Sequence, residues 1–173
     1  MNRRSTLKTL ASATGALLVL PGWAKSWNKD SVRLYISSFT KDQQETLSAL
    51  VDTIIPVGDK IGGRSVGVDT FLQKLFDKCY EKEVQDNVKK QLAALETTAQ
   101  TQFNIPFGEC TQLQRETIFL ALSNSTIKEE KDFFNLLKSE TIRGFSTSEE
   151  VMVKYHKFKI APGHYYGCVD VNA

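Results

Sequence analysis

The chain is poor in the side chains that usually carry chemistry. It has only two His and three Cys in 173 residues. None of these stands in a C-x-x-C, C-x-x-C-H or H-E-x-x-H spacing, which excludes closely spaced metal ligands and covalent haem attachment. The glycine run Gly62-Gly63-Arg64-Ser65-Val66-Gly67 has no following Lys and Ser/Thr and does not follow a strand, so it reads as a turn-rich loop rather than a phosphate cradle. Charge of one sign is lacking too: 22 Lys+Arg face 20 Asp+Glu, a formal +2, with no basic stripe to neutralise nucleic-acid phosphates. No stretch alternates apolar and polar residues as several strands would demand. What remains is 41% hydrophobic, 24% charged and 10% aromatic, the profile of one ordinary domain able to bury a core.

The N-terminus carries the first positive signal. Arg3-Arg4 is followed by Leu7 and Lys8, then by an uncharged run of 12 residues from Thr9 to Leu20, then by Pro21-Gly22-Trp23-Ala24. Paired arginines, the leucine beyond them and small residues at Gly22 and Ala24 fit a twin-arginine export signal cleaved after Ala24. As an uncleaved anchor the run falls well short of the roughly 20 residues that a bilayer span needs. The reading is therefore a signal peptide over 1–24 and a periplasmic mature chain over 25–173. Removal of the signal takes away Arg3, Arg4 and Lys8 and no acidic residue, leaving 19 basic against 20 acidic side chains. The twin-arginine route carries folded proteins, commonly because a cofactor is inserted first. This chain shows no cofactor site, so either it folds fast or its signal serves a cofactor-bearing partner.

The mature sequence reads as all-α: a small helical bundle with long loops and an aperiodic C-terminal tail from about residue 156. Lys25 to Phe39 reads as an extended lead-in. Thr40-x-x-Gln43 is a capping-box pattern, and Leu47, Leu50, Val51, Ile54 and Ile55 recur at helical spacing until Pro56. Pro56 to Gly67 holds five Gly or Pro residues and must be a loop. Asp69 is placed to cap a helix reaching Tyr80, with Phe71, Leu72, Leu75, Phe76 and Cys79 on its apolar stripe. A helix from Lys82 to about Gln102 is thinner in hydrophobics, which puts it at the rim with Lys89, Lys90 and Glu96 facing out. Thr111-x-x-Gln114 opens a helix through Leu122, and Thr126-x-x-Glu129 opens another that Gly144 ends as a left-handed stop. A short helix from Ser146 reaches Tyr155.

Four segments in this order, Val51-Asp52-Thr53-Ile54-Ile55-Pro56, Gly67-Val68-Asp69-Thr70-Phe71, Gly144-Phe145-Ser146-Thr147-Ser148-Glu149 and Pro162-Gly163-His164-Tyr165-Tyr166-Gly167-Cys168, make the chain resemble the gluconate 2-dehydrogenase subunit 3 family from about Thr40 to Cys168. It departs from the family at Phe145, where Tyr is common, and at Glu150, where Gly commonly follows. The resemblance implies a small subunit without a cofactor of its own. Its partner would be a large FAD-containing subunit of the glucose-methanol-choline type, which often lacks an export signal, commonly with a membrane-bound multihaem cytochrome c. The small subunit would then be the escort through the twin-arginine translocon.

An odd number of cysteines in an oxidising compartment leaves at least one free or paired outside the chain. Cys168, in the aromatic tail beside Tyr165 and Tyr166, is the candidate for a bond to the partner, and these three residues are the expected partner-binding set. Cys79 reads as a small buried hydrophobe, and Cys110 as able to pair with Cys79 or Cys168. His156 and His164 have no neighbour at motif spacing to complete a catalytic dyad. The functional expectation is a non-catalytic subunit of an FAD-dependent sugar or polyol dehydrogenase that assists maturation and export of the large subunit. The rivals are a stand-alone periplasmic helical interaction protein with an unrelated partner, or a small periplasmic enzyme.

Overall fold

The computed structural model describes residues 36–58, 60–159 and Gly163. The expected signal residues Arg3, Arg4, Leu7, Lys8 and Ala24 lie outside the described residues, as do His164, Tyr165, Tyr166 and Cys168. One helical unit begins at Ser37. Its elements are α1 (Lys41–Ile54), α2 (Val68–Cys79), α3 (Lys82–Phe103), a 3-10 turn (Phe107–Glu109), α4 (Gln112–Ser123), α5 (Lys128–Ser146) and a π-helical turn (Val151–Tyr155). No strand occurs among the described residues, so the all-α expectation holds.

Two of the helices start where local chemistry dictates. Gln43 N–H donates to Thr40 Oγ1 at 3.3 Å while Thr40 N–H donates to Gln43 Oε1 at 3.0 Å. Thr111 and Gln114 repeat the arrangement at the head of α4, with the two backbone donors at 2.9 and 3.4 Å from their acceptors. Each such cap satisfies two otherwise orphaned amides and is worth about 1 kcal/mol.

The other starts and stops depart from expectation. α2 is not capped by Asp69: its N-cap is Gly67, in the left-handed region at φ 74°, and Asp69 instead accepts a hydrogen bond from Ser48 Oγ at 3.1 Å. Thr126 caps nothing in α5, whose N-cap is Ile127. The preceding turn is closed by Ser125 Oγ, which accepts from Ile127 N–H at 3.0 Å. Gly144 does not end α5. It is buried within the helix, and a Cβ there would meet the Phe71 ring at 2.7 Å. The glycine is needed because α2 and α5 cross at that point, the ring lying against bare backbone.

α3 is central rather than peripheral. It packs on α1, α4, α5 and the 3-10 turn, burying Val88, Gln91, Leu92, Leu95 and Ala99. Glu96 is accordingly turned inward, where its Oε2 accepts from Thr46 Oγ1 and from Phe107 N–H, both at 3.2 Å. Lys89 extends its ammonium over the Phe39 ring, 5.4 Å from the centroid. The core around these residues contains Leu47, Leu50, Leu72, Phe76, Phe107, Phe133 and Leu137, all fully buried. Each contributes about 2 kcal/mol from removal of apolar surface from water. Ser37 and Ser38 fasten the entering chain to α2: both hydroxyls and the Ser38 amide donate to the Asp77 carboxylate, seating Phe39 against Phe76.

Candidate partner-docking face

The end of α1 carries the densest polar construction in the unit. Thr53 Oγ1 donates back to Ala49 O at 2.7 Å and accepts from Arg115 Nε at 2.9 Å. The same guanidinium donates to Asp52 Oδ2 at 2.9 Å, to Gln112 Oε1 at 2.9 Å and to Cys110 O at 3.2 Å. Gln112 in turn donates to Thr53 O at 3.0 Å. Arg115 and Asp52 keep only 12% and 24% of their side-chain surface in solvent, so one cation locks α1, α4 and the 3-10 turn together in a poorly solvated place. Sequence reasoning passed over Arg115, Gln112 and Thr53. A signal was available: Asp52 is the lone charge in Leu50–Ile55, and Arg115 with Glu116 supplies the only charges of α4.

The loop after α1 folds back on that helix. Gly63 N–H donates to Ile55 O at 2.9 Å, and a Cβ on Gly63 would sit 2.6 Å from Val51 Cγ1. Ser65 Oγ closes the turn by donating to Gly62 O and accepting from Gly62 N–H, each at 2.8 Å. The loop is thereby a fitted strap, which agrees with its reading as a turn rather than a phosphate site.

Three of the four signature segments thus converge. The first forms the Asp52–Thr53–Arg115 lock, the second sets Phe71 on the third at Gly144, and the third runs on into the π-helical turn. Where the strap meets that turn, Ser65, Val66, Ser148, Glu149, Glu150, Val153 and Lys154 line an open cleft of about 430 Å³. Lys154 Nζ is paired with Glu150 Oε1 at 2.7 Å, and this hydrogen bond holds the ammonium pKa above its ordinary value. Val57, Val153, Tyr155 and Phe158 stand exposed on this part of the chain.

The remaining candidate residues fall differently. Cys79, expected inside, is exposed because Tyr80 rather than Cys79 covers Phe76, with ring centroids 5.5 Å apart. Cys110 is buried, and both are free thiols, so the alternative that joined these two is corrected. Burial, and then the nearby Glu96 carboxylate, push the Cys110 thiol pKa up, which suits an inert packing residue. His156 is exposed beyond the π-helical turn. Among the described residues no group of His, Cys, Asp and Glu is arranged to hold a metal, and no helix is long and apolar enough to cross a membrane.

The described residues form an all-helical unit whose signature segments shape both its packing and an open cleft of mixed polar and apolar lining. The chain belongs to the gluconate 2-dehydrogenase subunit 3 family, whose model matches residues 41–163. No curated protein and no solved structure matches it. Membership makes the chain a small subunit of a dehydrogenase complex.

Proposed function

We propose that this chain is the non-catalytic small subunit that binds a large FAD-dependent sugar or polyol dehydrogenase subunit of the glucose-methanol-choline type and carries it, folded, through the twin-arginine translocon. The observation that carries the reading is the match over 41–163, because it spans every element that shapes the outward cleft. The paired arginines Arg3 and Arg4 in front of a chain with no cofactor loop of its own support the escort role, since the flavin that needs insertion before export then sits in the partner. A membrane-bound cytochrome c completes the proposed periplasmic complex as electron acceptor. The Tyr165-Tyr166-Gly167-Cys168 segment holds the partner, with Cys168 bonded to it.

Co-expression of both subunits in the native host tests this, with flavin and dye-linked dehydrogenase activity measured in the periplasmic and membrane fractions. Arg3→Lys/Arg4→Lys is expected to strand both chains in the cytoplasm. A non-reducing gel is expected to show one band that splits on reduction, and Cys168→Ser abolishes that band. Large subunit reaching the periplasm undiminished beside the leader variant would sink the escort role.

A further inference from the structure

The C-terminal end of α2, the start of α3 and the first half of α5 enclose a second groove, of about 450 Å³. We propose that this groove is a second contact for the large subunit, taking a segment that presents an apolar side chain flanked by Lys or Arg. The inference rests on the small-subunit reading above.

The floor is apolar, made of Val84, Phe133, Leu136 and the Tyr80 ring. Its walls are fixed before any partner arrives. Asn87 Nδ2 donates to Glu129 O at 3.1 Å, tying α3 to the first turn of α5. Tyr80 Oη donates to Glu140 Oε1 at 2.9 Å, and the other oxygen of Glu140 faces the Arg143 guanidinium, which holds the ring where it lines the groove. Burial of the phenol, reinforced by that carboxylate, raises its pKa and keeps it a donor.

The rim is one-signed. Glu83, Glu129 and Asp132 are all exposed, no Lys or Arg lines the groove, and none of the three carboxylates forms an ion pair among the described residues. Glu83 and Glu129 also lie in first helical turns, where negative charge suits the helix dipole. That local benefit accounts for acidic residues at those positions but not for Asp132, nor for an apolar floor left open between them. The hollow at Asp42, Glu45 and Glu96 is acidic as well, yet its Glu96 is consumed by Thr46 and Phe107. The α2–α3–α5 groove sets three carboxylates, none of them in an ion pair among the described residues, around an apolar seat, and a cationic, apolar-tipped segment complements both.

The test is retention of the co-expressed large subunit by the tagged full chain, titrated at low and high salt. Wild type is compared with Glu83→Gln/Glu129→Gln/Asp132→Asn and with the control Asp42→Asn/Glu45→Gln, and circular dichroism checks folding. The triple variant should bind the large subunit about tenfold more weakly at low salt and converge with wild type near 1 M salt, where the screening length falls to about 3 Å. The control should match wild type throughout. Equal affinity and equal salt slope for wild type and triple variant would overturn the groove while leaving the small-subunit reading intact. Failure of the wild-type chain to retain the large subunit would overturn both. Loss of a wild-type homodimer in the triple variant, seen by sedimentation, would overturn the large subunit as occupant in favour of a second copy.

Discussion

Two regions of the helical unit handle charge in opposite ways. Around Asp52, Thr53 and Arg115 polar groups are spent on one another: the guanidinium donates to four acceptors on three elements, and Gly63 lets the strap lie against Val51. At the α2–α3–α5 groove, Glu83, Glu129 and Asp132 are exposed, no Lys or Arg lines the groove, and none of the three is in an ion pair among the described residues. The first arrangement is what a fold needs to hold its shape, since a buried charge left unpaired is expensive. The second gives the fold little beyond favourable helix-dipole contacts at Glu83 and Glu129, and leaves its electrostatic potential available to another molecule. The three signature segments that the structure describes therefore read first as architecture.

Arg115→Ala is the largest expected break. It strips Asp52 of its partner in a place where the carboxylate keeps 24% of its side-chain surface, and it leaves Thr53, Gln112 and Cys110 O short of a donor. Partial exposure discounts the full cost of a split buried pair, so a loss of about 3 kcal/mol is expected. A urea titration of the purified unit measures it. Arg115→Lys should recover less than half, because an ammonium cannot reproduce the fork geometry. A loss below about 0.5 kcal/mol for Arg115→Ala, the range of an ordinary surface change, would erase the contrast between the two regions.

Gly63→Ala comes next. Its Cβ would fall 2.6 Å from Val51 Cγ1, and Val51 is fully buried and cannot swing away. Overpacking of this kind costs about 2 kcal/mol. The same urea titration should show it, and a paired Val51→Ala change, which opens space for the new methyl, should make the two effects less than additive. Simple additivity would mean that the strap does not rest on α1 as described.

What was legible beforehand follows from how far each feature reaches along the chain. The capping boxes at Thr40 and Thr111, the apolar stripes and the breaks at Pro56 and Asn104 are local, and each landed within a residue or two of its place. Apart from Thr126, displaced as a cap by the Ser125 turn beside it, the misreadings concern residues whose environment is set by another element. Gly144 looks like a stop until Phe71 is laid across it. Glu96 looks solvated until Thr46 and Phe107 arrive, and Cys79 looks inward until Tyr80 takes its place over Phe76. The site shows the same divide. The order of the signature segments named the family, but the lock that they build needed Arg115, which stands 63 residues from Asp52 and in none of those segments.

The smallest expected effect sharpens the comparison most. In Glu83→Gln/Glu129→Gln/Asp132→Asn, loss of favourable helix-dipole contacts at Glu83 and Glu129 costs a few tenths of a kcal/mol each. Relief of the mutual repulsion among three carboxylates on one rim returns a similar amount. The net change in unfolding free energy should therefore stay within about 0.5 kcal/mol, with either sign, and should vanish in high salt because both contributions are screened. Differential scanning calorimetry at low and high salt separates the cases. A salt-independent loss as large as that of Arg115→Ala would mean that these carboxylates hold the fold together through contacts of their own. A near-zero change leaves them with no structural duty, and a weakened hold on the large subunit in the same variant can then be assigned to the groove itself.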